Sequence, residues 1–200
     1  MPKIVDHDLY RKELLSQCFD MFTEKGYAAI TMREIAHGLG VSTGTLYHYF
    51  PSKEVLFEQL VEEWTRQDLL KAEAELETAQ TLTDRIETAF HFIAKNEDYF
   101  LKQVLLLIDF HQQQRGTASP NEILKLVCDR ARDRVADLLG LQDPQIVVFV
   151  LSLIDGLILG RLYNEEVASF EKQGALLGKM LTVYLEQHST EPGLPSEVQR

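Results

Sequence analysis

Apolar residues recur along this chain at intervals of three and four, and the period-two alternation of a half-buried strand is missing, so the pattern predicts an all-α protein. Leu15, Cys18, Phe19 and Phe22 share one face of a helix from His7 to Lys25, which Gly26 ends. Between Thr31 and Lys53 the predicted helices are short. Thr31 with Glu34 three positions on forms a capping box, Ile35, Ala36 and Leu39 make the inward stripe, and Gly40 supplies a left-handed exit. Ser42 or Thr43 caps a second short helix, on which Leu46 and Phe50 share a face until Pro51 stops it. Ser52 caps a long helix to about Leu76, with Leu56, Leu60, Val61 and Trp64 facing inward. Further helices are expected from Leu82 to Asn96, Tyr99 to His111, Pro120 or Asn121 to Leu139, Ile146 to Tyr163, and Ala168 to His188. The stretch Ile146 to Tyr163 is the most hydrophobic, but Asp155 inside it and Arg161 near its end argue for a helix buried on two sides rather than a membrane span.

Two short helices joined by a tight, glycine-containing turn are a helix-turn-helix, with the helix from His7 as its third wall. At 100° per residue, Leu46 and Phe50 point inward, Gly44 and His48 point outward, and Thr45 and Tyr47 flank them. No acidic residue lies between Thr43 and Phe50, so that face repels no phosphate. Gly156 and Gly160 lie four apart, as do Gly174 and Gly178 on the last helix. Such spacing lets helices approach closely and is expected to build a four-helix dimer interface, with packing inside one chain as the alternative.

Composition changes this picture in one respect. The formal charge is -11, yet residues 1–53 hold six basic and six acidic side chains, so the whole excess of acid falls on residues 54–200. The body is repelled by nucleic acid and only one end can approach it. Cys18 and Cys128 are too far apart in sequence, and too far from any His pair, to suggest a metal site or a disulfide framework. The first ten residues lack the apolar run of an export signal, so the location expected is cytoplasmic. Arg130, Arg132 and Arg134 alternate with Asp129, Asp133 and Asp137 on a solvated face. Asp109 and Asp155 sit in apolar surroundings and each is expected to have a partner, Arg161 or one of those three arginines, or a bound ligand. No catalytic motif is present, and neither cofactor nor metal is expected.

The segments Thr31-Met-Arg-Glu-Ile-Ala, Gly40-Val-Ser, Gly44-Thr-Leu-Tyr47-His-Tyr-Phe50 and Pro51-Ser-Lys-Glu resemble the TetR family of bacterial repressors, densely over residues 10 to 60. The resemblance implies that Thr31 and Arg33 meet the DNA backbone, that Thr43, Gly44, Thr45 and His48 meet base edges, and that Tyr47, Tyr49 and Lys53 clamp phosphates. It also implies dimerisation through the last two helices. The molecule expected is therefore a homodimeric regulator, with residues 1–53 binding double-stranded DNA and residues 54–200 dimerising and binding a ligand, residues 190–200 being a frayed tail. A small-molecule effector would enter a largely apolar pocket, for which Phe92, Tyr99, Phe110, His111, Arg115 and Asp155 are the candidates, and release a pseudo-palindromic operator. The alternative is a regulator that is constitutive or controlled by a protein partner.

Overall fold

The computed structural model describes residues 6–114, 122–163 and 169–188, and these form nine helices with no strand among them. They are α1 (His7–Lys25), α2 (Met32–Gly38), α3 (Thr43–Tyr49), α4 (Lys53–Leu76), α5 (Leu82–Lys95), α6 (Glu97–Gln113), α7 (Glu122–Leu139), α8 (Pro144–Gly160) and α9 (Phe170–His188). The ends fall where side chains can satisfy orphan backbone groups. Thr31 and Glu34 close a capping box on α2, and Thr81 and Asp84 close another on α5. Ser42, Ser52 and Asp143 cap α3, α4 and α8. Gly40, at φ +67°, makes the turn that a residue with a Cβ would resist. Arg115, a candidate for the pocket, and the tail at residues 190–200 lie outside the described residues.

Two apolar clusters fill the molecule. The first joins α1, α2, α3 and the start of α4 through Phe22, Ile35, Leu46, Phe50 and Phe57, and it takes in Leu106, Phe110 and Val127 from the body. The core therefore crosses the expected boundary at residue 53, and α4 serves both sides of it. The second cluster packs α5, α8 and α9 through Ile86, Phe90, Val150, Phe170 and Leu177.

Here one expectation is corrected. Gly174 and Gly178 are buried against α5 of the same chain: a Cβ on Gly174 would lie 2.6 Å from Phe90 Cβ, and one on Gly178 would lie 3.2 Å from Thr83 Cα. The close approach they permit joins α9 to α5, with Thr83 and Thr182 hydroxyls sharing a 3.0 Å hydrogen bond across it. Gly156 and Gly160 face open space within 4 Å. On these two helices the large apolar side chains left in solvent are instead Val148 and Phe149 of α8 and Leu176, Met180, Val183 and Tyr184 of α9, all 42–54% exposed. Among the described residues no single helix is long and apolar enough to cross a membrane.

Candidate nucleic-acid interface and cavity

The face of α3 is held by what lies behind it. Leu46 and Phe50 are wholly buried against α1 and α2, which fixes the rotation of α3 and leaves Thr43, Gly44, Tyr47 and His48 exposed together. Ser42 Oγ accepts from Thr45 N at 2.9 Å and shares a 2.8 Å hydrogen bond with the Thr45 hydroxyl, so Thr45 sits half-buried with its hydroxyl oriented. Arg33 is exposed on α2.

Three expected DNA contacts have other work in this structure. The Thr31 hydroxyl donates to Glu34 Oε2 at 2.7 Å and accepts from Glu34 N, so it serves the capping box first. Tyr49 is buried rather than facing outward: its hydroxyl meets His7 Nδ1 at 2.8 Å and its ring packs edge-on against Tyr10. Lys53 lies over the Tyr27 ring, 4.5 Å from its centroid, and its ammonium donates to the carbonyls of Tyr27 at 2.7 Å and Ile30 at 3.0 Å. That clamp closes the α1–α2 turn and leaves little of the ammonium for a phosphate. Sequence reasoning missed His7, which sits exposed with its ring 6.3 Å from that of His48; the pairing spans forty-one positions and no local pattern signals it.

The body contains an apolar cavity of about 300 Å³ between α4, α5, α6, α7 and α8, lined among others by Trp64, Phe92, Phe100, Val104 and Ile154. Of the candidates named from the sequence, Phe92 and Asp155 are on its wall. The other described candidates are not. Phe110 is buried 4.6 Å from Phe57, where it packs the body onto the helix-turn-helix, because its position on α6 faces the first core. His111 is exposed on the surface. Tyr99 stands behind the wall, its hydroxyl donating to Asp68 at 3.1 Å while Gln103 Nε2 donates to the same carboxylate at 2.7 Å. Burial raises the Asp68 pKa even though those donors and Lys71 work against it. Burial also raises that of Asp155, which has no hydrogen bond or ion pair among the described residues. Its expected partners are engaged elsewhere: Arg161 with Glu97, Arg130 with Glu62, Arg132 with Asp129 and Arg134 with Glu73. Asp109 accepts from Ala28 N at 3.2 Å, tying α6 to the α1–α2 turn. Among the described residues no group of three His, Cys, Asp or Glu could hold a metal ion.

Residues 14–60 match the family model described as bacterial regulatory proteins, tetR family. Over 192 residues the chain is 24% identical to the HTH-type transcriptional regulator BetI of Rhizobium meliloti (strain 1021), covering 92% of this chain and 94% of that one. Over 51 residues it is 47% identical to the HTH-type transcriptional repressor KstR2 of Mycobacterium tuberculosis (strain CDC 1551 / Oshkosh), which is 26% of either chain. In fold it is similar to the fatty acid degradation regulator FadR of Bacillus halodurans, with TM-score 0.65 at 16% identity over 85% of this chain and 96% of that one.

Proposed function

We propose that this chain, whose residues 14–60 match the tetR family of bacterial regulatory proteins, is a repressor which leaves a two-fold DNA operator when a small molecule fills its cavity. It is a sequence-specific DNA-binding regulator of transcription, not an enzyme. The observation that carries the site reading is the α3 face: a helix locked from behind by Leu46 and Phe50 presents only hydroxyls, an imidazole and a glycine. Such a helix suits the major groove, where threonine can donate, accept or meet a thymine methyl, and Arg33 adds a phosphate contact. Without Arg, Asn or Gln on that face, discrimination leans on DNA shape and water. The protein acts where the chromosome is, in the cytoplasm.

Two copies joined through the exposed apolar faces of α8 and α9 place two such helices on one duplex. The cavity lies between them and the DNA end. From Gln103 on its wall, α6 runs six residues, about 9 Å, to Asp109 and Phe110, which hold the α1–α2 turn and Phe57. A ligand that fits one position of α6 better than another shifts the population of reading-head spacings. Selection of bound genomic fragments tests the proposal. The expected product is a pair of inverted half-sites about 34 Å or a multiple apart, altered in preference by Thr45→Ala or His48→Ala; a single asymmetric site overturns it.

A further inference from the structure

The cavity wall carries charge of one sign. Asp68 and Asp155 both line it, and among the described lining residues there is no Lys, Arg or His. The remaining polar groups are Thr65, Gln103 and Cys128, and everything else is aliphatic or aromatic. We infer that this cavity takes an organic cation, an apolar body bearing one positively charged nitrogen, in preference to a carboxylate or phosphate of the same size; this rests on the reading above that the cavity is the effector site.

The two carboxylates are built differently. Asp68 lies deep, its side chain 12% exposed, and Tyr99 and Gln103 orient it by donating to it. Those two donors leave acceptor positions unfilled on a carboxylate that can take about four. Lys71 approaches the same group only to 3.9 Å, from solvent, where its own side chain is 60% exposed. Asp155 sits where the cavity meets solvent and has no hydrogen bond or ion pair among the described residues. Taking the remaining water from either carboxylate without a partner is unfavourable, so a cation entering the cavity offsets that penalty while an anion adds to it. Trp64, Phe92 and Phe100 line the space beside the acids, and the negative faces of aromatic rings attract the same sign of charge. The basic side chains of α7 cannot reverse this balance, since Arg130, Arg132 and Arg134 are paired with carboxylates outside the wall.

The test uses the full chain and three probes that share one alkyl chain: octyltrimethylammonium, octanoate and octan-1-ol. Trp64, the single tryptophan, reports occupancy directly by fluorescence. Octyltrimethylammonium is expected to bind about tenfold tighter than octan-1-ol, with octanoate weaker than both, and Asp155→Asn, which leaves Asp68 in place, is expected to reduce the advantage of the cation over the alcohol while leaving the alcohol unchanged. Octanoate binding as tightly as the cation overturns the inference, as does a cation preference unchanged in Asp155→Asn. The comparison of probes on the unaltered protein decides the matter even where the variant fails to fold. Operator affinity measured in the same titrations separates the two readings. A cation that binds without releasing DNA leaves the inference standing and ends the effector role of the cavity, whereas release by octanoate does the reverse.

Discussion

Lys53 has one ammonium and two roles to choose between. In the structure it donates to the Tyr27 and Ile30 carbonyls and lies over the Tyr27 ring, so its charge is spent holding the α1–α2 turn closed. Hydrogen bonds from a charged donor are worth about 2 kcal/mol net, and Lys53→Ala is expected to destabilise the N-terminal core by about that much in urea unfolding. Unfolding at the wild-type midpoint, with DNA affinity lost, would return Lys53 to the phosphates. Glu34 gives the complementary case. The Lys25 ammonium at 2.8 Å, then the Thr31 hydroxyl and backbone N–H, hold its pKa down from 4.5 to about 2. Its folded pKa lies below its unfolded one, so its stabilising contribution is complete above pH 4.5 and is lost as pH falls toward 2. Melting temperature followed across that window is expected to fall less steeply in Glu34→Gln than in the parent chain.

At the scale of elements, the glycines of α8 and α9 look alike in sequence and differ in what they meet. An alanine at position 174 would drive its Cβ into the Cβ and Cγ of Phe90, whose fully buried side chain cannot swing aside. Overpacking of this kind costs about 2 kcal/mol, and Gly174→Ala is expected to lower the urea midpoint accordingly. Gly156→Ala meets nothing within 4 Å and adds helix propensity, so about 0.5 kcal/mol of stabilisation is expected in dilute protein. Destabilisation by Gly156→Ala would instead show that a second chain passes close to α8. The helices themselves were legible almost to the residue, α1 as His7–Lys25 and α9 within two positions of its start, because caps and apolar stripes are local signals. The partner of each glycine was not legible, because spacing four apart states only that something comes close.

For the whole molecule, the proposed doubling of the reading head rests on the exposed faces of α8 and α9. Phe149 and Met180 are 53% and 54% exposed, and their neighbours Val148, Leu176, Val183 and Tyr184 extend the same apolar surface. The double variant Phe149→Glu with Met180→Glu would place four carboxylates into the proposed two-fold interface. It is expected to sediment as a monomer and to bind operator about 100-fold more weakly, as the second head no longer binds as part of one molecule. A dimeric double variant would move the interface elsewhere. The charge distribution acts at this scale too: with all the net negative charge on residues 54–200, the proposed dimer would meet DNA only by its paired N-terminal ends.

Recurrence at the helical period, three N-caps and a turn glycine were enough in the sequence to place the helix-turn-helix and the face of α3 that looks outward, since Leu46 and Phe50 admit one rotation of that helix. The match to the tetR family model lies within the same stretch, at residues 14–60. Tertiary structure alone decided what the long and small side chains meet. It turned Lys53 and Tyr49 inward, gave Phe110 to the interdomain core and Gly174 to α5, and left Asp155 unpaired at the mouth of a cavity that also holds Asp68. The reason is physical: backbone caps and burial faces depend on residues three or four positions away, whereas the partner of a side chain depends on which distant helix packs beside it.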